Sequence, residues 1–147
     1  MEVIVTKVSR DEFNVISEDV HKGCFQEIRP KEMSRISYAL LTSTEEKGLT
    51  SYATVIEHDS LSAYMQHGGT FYPDNKMLTT KSYFKLIEFL RFHYPVITTR
   101  IFNWNVAMIK LALQAGFLIT GVEFDQDADG FKSGVLLNLK LETRAKA

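Results

Sequence analysis

Cysteine, proline and tryptophan are scarce in this chain, which has one cysteine, three prolines and one tryptophan among its 147 residues. The lone Cys24 excludes an intramolecular disulfide and a zinc site built from several cysteines. A lone cysteine can act as a nucleophile, but it is more often a small buried residue, and we expect this of Cys24. The four histidines have no spacing typical of metal ligands, so we expect no metal site.

A strong net charge and a long apolar run are also missing. The net charge is −1 and the pI is about 6.4, so the composition gives no basic footprint, and a nucleic-acid partner is disfavoured. No stretch approaches the roughly 20 apolar residues of a membrane span. The segment from Met1 to Val5 lacks the basic region and apolar run of a signal peptide. We therefore expect a cytoplasmic protein without a membrane partner.

The apolar and charged fractions, 45% and 24%, are those of an ordinary globular protein. The length suits one domain, which we expect to cover residues 1–147. Alternating and helix-spaced apolar residues predict the secondary structure. In chain order, the predicted elements are strand Val3–Val8, helix Arg10–His21, strand Ile36–Leu40, strand Tyr52–Ile56, strand Leu61–His67, a helix capped by Thr79 or Thr80 and stopped by Pro95, strand Val96–Phe102, helix Asn105–Ala115, strand Leu118–Phe124 and strand Val135–Leu141.

Local signals support this order. Ser9 and Glu12 form a capping box at the start of the first helix, in which each side chain accepts a hydrogen bond from the other residue's backbone N–H. Residues 23–34 are ambiguous, although Pro30 can open a further short helix. Three consecutive alternating strands imply antiparallel pairing, and the strand–helix–strand units imply parallel pairing. The order β-α-(α)-β-β-β-α-β-α-β-β therefore predicts an α/β fold with a mixed sheet and helices on both faces.

The segment from Asn105 to Gly121 has the most specific spacing in the chain. Gly116 follows Asn105 after eleven positions, Phe117 comes next, and Gly121 lies on the following strand. A helix cap and a helix end would explain Asn105 and Gly116 one by one. Together with the order of the elements, the spacing resembles the last helix and strand of the Gcn5-related N-acetyltransferases, the GNAT superfamily. The resemblance implies the GNAT fold for nearly the whole chain.

The resemblance implies a phosphate-binding loop between the fourth strand and the second long helix. GNAT proteins usually have Val-x-Pro-x-Tyr-Arg-x-x-Gly-x-Gly there, and the glycines let main-chain amides approach the pyrophosphate of acetyl-CoA. Here Pro73 matches and Lys76 replaces the arginine, but Thr79 and Lys81 replace the two glycines. The hydroxyls of Thr79 and Thr80, the helix dipole and both lysines can still hold phosphates. Alternatively, the loop no longer binds the cofactor.

The resemblance implies that two further parts of the chain bind the cofactor. Gly68 and Gly69, followed by Thr70, end the fourth strand, where GNAT proteins pair a strand edge with the pantetheine arm of the cofactor. A glycine pair in a strand marks a bulge, a close backbone approach or a simple bend. Asn105 is expected to support the cofactor cleft.

His67 and Tyr72 are the candidate catalytic residues. Acetyl transfer to an amine needs a base for the ammonium, donors for the oxyanion and an acid for the departing thiolate. The base of GNAT proteins often lies on the fourth strand, where His67 is the titratable residue, although a structural histidine is the alternative. The usual acid is a tyrosine seven residues after the helix asparagine. That position is Ala112 here, so we expect Tyr72 or water to replace the acid.

An acidic segment from Asp125 to Gly130 looks like the start of a calcium loop. Such a loop requires Glu at its twelfth position and flanking helices, whereas this chain has Leu136 and predicted strands. We therefore expect a hairpin loop with a turn at Asp129 and Gly130. Its three carboxylates can attract a cationic amine.

The resulting hypothesis is an acyl-CoA-dependent N-acyltransferase. Acetyl-CoA would be the cosubstrate, and a small-molecule or protein amine would attack it directly in a ternary complex. A first alternative is a non-catalytic GNAT-like module that binds a protein partner, because the loop glycines and the tyrosine are missing. A second is a nucleic-acid-modifying enzyme on the same scaffold, since the short chain and altered loop also resemble divergent GNAT proteins of phages and mobile elements.

Overall fold

A seven-stranded mixed sheet carries the helices in the computed structural model, which describes residues 2–25, 35–124 and 135–143. In chain order the elements are β1 (Ile4–Ser9), α1 (Arg10–Phe25), β2 (Tyr38–Thr44), β3 (Gly48–Glu57), β4 (Ser62–Thr70), α2 (Lys76–His93), β5 (Val96–Phe102), α3 (Val106–Ala115), β6 (Leu118–Phe124) and β7 (Val135–Glu142). The strands lie in the order β1-β2-β3-β4-β5-β7-β6. All neighbours are antiparallel except β4 and β5, which are parallel and are connected through α2.

The two faces of the sheet are covered by different helices, as predicted. On one side, which we call the α2 face, the core contains side chains from α2, α3 and the central strands. Representative members are Leu40, Val55, Ile97, Leu139, Leu86, Leu90 and Ala112. On the other side, the α1 face, Phe13 and Val20 of α1 pack with Ala39, Leu41 and Tyr52 of the sheet. No helix in the described part of the chain has the length and apolar character needed to cross a membrane.

Several predicted boundaries are confirmed. β5 and β6 cover the predicted residues, and α3 begins one residue after Asn105, which is its N-cap. The capping box of α1 is present, because the N–H of Ser9 donates to Glu12 at 3.2 Å and the N–H of Glu12 donates to the Ser9 hydroxyl at 3.1 Å. The helix predicted near Pro30 and the acidic segment 125–130 lie outside the described residues.

The spacing of Asn105, Gly116 and Phe117 has a structural cause. Asn105 accepts the N–H of Met108 at 3.4 Å, which caps the start of α3. Gly116 has φ of 105°, and its amide and that of Phe117 donate back to carbonyls of the last helical turn at 3.1 and 3.0 Å. The Phe117 side chain is then buried in the core of the α2 face. The pattern therefore encodes a helix of fixed length with a defined exit.

The predicted start of α2 is wrong. The cap is Asn75, whose side-chain oxygen accepts the N–H of Leu78 at 3.1 Å, and neither Thr79 nor Thr80 has that role. An Asn side chain suits the cap position because it reaches the amide three residues ahead. The Thr79 hydroxyl is instead bonded to the loop before the helix. Both threonines consequently lie inside α2, which begins at Lys76.

The strands of the meander are also longer than predicted. β2 continues to Thr44, β3 already begins at Gly48, and β4 continues to Thr70. Half of the added residues are threonine or serine, and Thr42, Thr44, Thr50 and Ser51 are buried. Alternation of apolar side chains does not reveal such a polar strand end, because burial there depends on hydroxyl partners.

Candidate functional site

The central feature of the candidate site is an opening between β4 and β5. Their parallel pairing runs only from Ser62 and Val96 to Met65 and Thr99. Beyond that point β4 continues to Thr70 and still pairs with β3, whereas β5 pairs only with β7. The Thr99 hydroxyl donates to the Met65 carbonyl oxygen at 3.0 Å and closes the last rung. The two strands therefore diverge and leave a wedge at their carboxyl ends, where ligands of open α/β sheets bind.

A β-bulge lies at the point of divergence. Gln66 and His67 both oppose Thr54 of β3, and the N–H of His67 donates to the Thr54 hydroxyl at 3.1 Å. The Gln66 side-chain oxygen is buried without a hydrogen-bond partner in the described structure. Leaving such a group unsatisfied costs about 1–3 kcal/mol. The bulge bends β4 away from β5 and places the half-buried His67 next to the wedge.

The edge of β4 that faces the wedge consists of main-chain polar groups. The N–H of Phe71 donates to the Thr50 carbonyl at 2.9 Å, on the β3 side. Because the groups of successive residues alternate in direction, the amides and carbonyls of Gly68 and Thr70 point the other way, toward the wedge. A Cβ at Gly68 would lie 3.1 Å from the Tyr52 carbonyl oxygen, so this glycine permits a close backbone approach. The edge can therefore pair with an extended, amide-containing ligand.

The N-terminus of α2 lies at the same end of the sheet, directly after β4. The side-chain oxygen of Asn75 accepts a hydrogen bond from the N–H of Leu78, and its main-chain carbonyl accepts one from the N–H of Thr79. The amides of Lys76 and Met77 are the ones that the first turn leaves without an intrahelical acceptor. Together with the helix dipole and the exposed Lys76 side chain, they make this terminus attractive to an anion.

Thr70 and Thr79 hold the loop that connects β4 to α2. The Thr79 hydroxyl donates to the Tyr72 carbonyl at 3.0 Å and lies 3.1 Å from the Thr70 hydroxyl. The Thr70 oxygen in turn accepts the N–H of Tyr72 at 3.2 Å. These bonds give both threonines a role in shaping the loop. Thr80 and the exposed Lys81 follow inside α2, one turn beyond the N-terminus.

A buried chain of hydroxyls supports this loop from below. The Thr50 hydroxyl lies 2.8 Å from that of Thr42 and 2.9 Å from that of Ser82 in α2, and Thr42 also bonds to Ser51. All four residues are buried. Thr50 and Ser51 both lie on this side because the register shifts by one residue after Thr42. The chain ties α2 to β2 and β3, so it fixes where the helix N-terminus stands relative to the wedge.

The candidate acid Tyr72 lies on the side of β4 that faces away from β5. Its hydroxyl donates to the Lys47 carbonyl in the β2–β3 turn at 3.2 Å, and the Lys47 ammonium lies 5.0 Å from its ring centroid. The structure therefore does not bring Tyr72 and His67 together at the wedge. Ala112 is fully buried within the core.

Cys24 is half-buried at the end of α1. Burial raises the pKa of its thiol to about 12, which keeps it protonated near neutral pH. A protonated thiol is a poor nucleophile, which agrees with the expectation that Cys24 is a structural residue. Among the described residues, no group of three side chains can hold a metal ion.

Several site residues were not found from the sequence. Asn75 could have been recognised as a helix cap, because asparagine favours that position. The bulges at Thr50 and Gln66 have no signal in a single strand, since register depends on the partner. Thr99 looks like an ordinary strand residue in the sequence. Its hydroxyl donates to the Met65 carbonyl only because β4 lies beside β5 as a parallel strand.

Several solved structures of acetyltransferases have the same fold. A ribosomal-protein-S18-alanine N-acetyltransferase from Escherichia coli superposes with a TM-score of 0.71 at 10% identity, covering 99% of this chain and 97% of the other. A spermidine N-acetyltransferase SpeG chimera from Vibrio cholerae and hSSAT gives 0.72 at 12% identity, with 97% and 96% covered. The yncA protein of Salmonella typhimurium, solved with its cofactor acetyl-CoA, gives 0.65 at 16% identity, with 100% and 97% covered.

No protein-family model and no curated protein sequence matches the chain. The likeness thus lies in the three-dimensional arrangement, and at these identities it establishes the fold. The chain has the mixed-sheet fold of the GNAT acetyltransferases, as the spacing from Asn105 to Phe117 and the order of the elements predicted.

Proposed function

We propose that this protein is an acetyl-CoA-dependent N-acetyltransferase that transfers the acetyl group directly to an amine. The observation that carries the proposal is the wedge between β4 and β5, which combines an open main-chain edge with a helix N-terminus at one end of the sheet. An extended ligand with amide groups and an anionic end matches both features. Acetyl-CoA has this chemistry, because its pantetheine arm contains amides and its pyrophosphate is an anion.

The residues present fit such a cosubstrate. The main-chain groups of Gly68 and Thr70 would pair with the pantetheine amides. The amides of Lys76 and Met77 and the Lys76 ammonium would hold the pyrophosphate. Thr79 and Lys81, which replace the family's glycines, do not contradict this fit. The Thr79 hydroxyl is bonded to the preceding loop, and α2 begins at Lys76, so the open amides lie before these positions.

The bound cosubstrate supplies the acetyl group as a thioester, which an amine attacks. His67 is the proposed base that takes the proton of the amine, because it lies at the bulge where the strands diverge. Tyr72 was the sequence candidate for the acid, yet its hydroxyl already donates to the Lys47 carbonyl. Water is therefore the proposed proton source for the leaving thiolate. Direct attack also agrees with the raised pKa of Cys24, since a protonated thiol does not form an acyl-enzyme readily.

Binding of acetyl-CoA is the first test. Acetyl-CoA should raise the midpoint temperature of thermal unfolding. At a free ligand concentration one hundred times Kd, the free energy of unfolding should rise by about 2.7 kcal/mol. Lys76→Ala should weaken binding, whereas Lys110→Ala, which removes the same charge from α3, should leave it unchanged. A wild-type protein that shows no stabilisation at millimolar acetyl-CoA would contradict the proposal and would favour a non-catalytic protein-binding module.

The role of His67 is tested separately by the rate of thiol release with a set of primary amines. Replacing a general base typically lowers the rate by about 10²–10⁴-fold. His67→Gln should show such a loss while acetyl-CoA still stabilises the protein. If the variant retains the wild-type rate, His67 is a structural histidine and the base lies elsewhere.

A further inference from the structure

Two aromatic residues form a stack at the end of β5, beside the wedge. The rings of Phe102 and Trp104 have centroids 5.3 Å apart and an interplanar angle of 13°. Trp104 nevertheless keeps 46% of its surface exposed. An exposed tryptophan with a flat neighbour offers a large apolar contact surface at little entropic cost, which is typical of binding sites. We call this pair the Phe102–Trp104 stack.

The stack and His67 lie on the same face of the sheet. Ile97 and Ile101 belong to the core of the α2 face, so alternation along β5 places Phe102 on the α1 face. His67 opposes Thr54, which pairs with Ala39 of the α1-face core, so it lies on that face as well. The wedge thus has His67 on one arm and the stack on the other.

The positions of these groups along the two strands suit a small acceptor. His67 lies two residues beyond the last β4–β5 rung and Phe102 lies three residues beyond it. At about 3.3 Å per residue, these positions are roughly 7 and 10 Å along diverging strands. An amine placed near His67 could therefore reach the stack with an aromatic ring through a short aliphatic linker.

The charges on this face disfavour an acceptor with several ammonium groups. Glu123 of β6 forms an ion pair with Arg100 of β5. Glu142 of β7 forms one with Lys140, with nitrogen and oxygen 2.8 Å apart. Both carboxylates are thus already matched by cations. Along the described parts of β5, β6 and β7, the recognition chemistry left for an acceptor is therefore aromatic contact rather than a second ion pair.

We propose that the Phe102–Trp104 stack is an acceptor subsite for a primary amine carried on an aromatic ring. The inference rests on the proposed acetyl transfer, because it assigns the substrate class of the same wedge. It also has its own readout, since Trp104 is the only tryptophan in the chain and tryptophan fluorescence therefore reports on the stack.

The test is a fluorescence titration with three amines in the presence of coenzyme A. 2-Phenylethylamine should change the Trp104 emission in a saturable way. It should bind about two- to tenfold more tightly than 2-cyclohexylethylamine, which has the same charge and length without a flat π-face. 1,4-Diaminobutane should bind more weakly than 2-phenylethylamine. Equal affinity for the two ring compounds, or tighter binding of the diamine, would overturn the inference.

Two variants separate recognition from stability. Trp104→Phe keeps an aromatic ring, and equilibrium dialysis should give nearly the wild-type affinity for 2-phenylethylamine. Trp104→Ala should lose the preference over the cyclohexyl analogue, with its folded state checked by thermal unfolding. If Trp104→Ala still prefers 2-phenylethylamine to the cyclohexyl analogue, the inference is also overturned. Acetyl-CoA binding is measured on the same samples to keep the two proposals distinct. A protein that does not bind acetyl-CoA contradicts the proposed acetyl transfer. A protein that binds acetyl-CoA but shows no preference for the aromatic amine contradicts only the acceptor subsite.

Discussion

The two helices that follow the diverging strands begin in the same way but are specified differently. α2 and α3 each start after an asparagine, Asn75 or Asn105, whose side chain accepts the amide three residues ahead. The ends of α3 are fixed by Asn105 and Gly116 within one short segment. The start of α2 depends in addition on hydroxyls from β2, β3 and the preceding loop. Local sequence therefore determines α3, whereas tertiary contacts determine the position of α2 at the proposed phosphate site.

The largest effect is expected from breaking the hydroxyl chain under α2. Thr50→Val keeps the shape of the residue but removes the hydroxyl partner of buried Ser82, which should cost about 1–3 kcal/mol of unfolding free energy. Hydrogen exchange of the amides in residues 70–78 should also become faster, because the loop and the helix N-terminus lose their support.

Thr120→Val is the matched control for this change. The Thr120 hydroxyl donates to the Asn138 carbonyl at 3.2 Å on the exposed strand β6, so its loss should cost less. Equal destabilisation by the two substitutions would show that the buried chain has no special role in holding α2.

A smaller loss is expected at the end of α3. Gly116→Ala forces a side chain into φ of 105° and places its Cβ 3.2 Å from Leu141, so the free energy of unfolding should fall by about 2 kcal/mol, the upper end of the cost of a left-handed residue. Gly48→Ala is the control, because Gly48 has φ of 71° with no atom within 4 Å of the added Cβ. Urea unfolding measures both, and an equal loss would mean that the Leu141 contact relaxes freely.

The smallest effect on stability is expected from the two helix caps. Asn75→Ala and Asn105→Ala should each lower the free energy of unfolding by about 1 kcal/mol. Their effects on acetyl-CoA should differ, because the proposed phosphate site is the N-terminus of α2. Calorimetry should find weaker binding in Asn75→Ala than in Asn105→Ala, and the reverse order would place the phosphates at α3.

The sequence predicted the parts of the fold that local chemistry determines. The strands β5 and β6, the capping box at Ser9 and the helix from Asn105 to Gly116 needed only alternation, caps and a glycine with positive φ. The start of α2 was missed because Thr79 and Asn75 are both good caps. The choice between them depends on the bonds of Thr79 to Tyr72 and Thr70.

The candidate site was also predictable only in part, because contacts between different strands determine the rest of it. His67 and Gly68 were found as residues at the end of the fourth strand, and both lie at the wedge. The bulge at Gln66 that opens the wedge depends on register with β3, and the Phe102–Trp104 stack depends on the turn after β5. Neither has a signature in a single sequence. The proposed roles of the predicted site residues stay predictions until ligand binding is measured.

The central claim is that the N-terminus of α2, rather than that of α3, receives the phosphates of acetyl-CoA. Amide chemical shifts of isotope-labelled protein test it most directly, because the two helix starts provide an internal comparison. Adding acetyl-CoA should shift the amides of Lys76 and Met77 strongly and those of Val106 and Ala107 only slightly. Larger shifts at Val106 and Ala107, or none at either helix, would contradict the account.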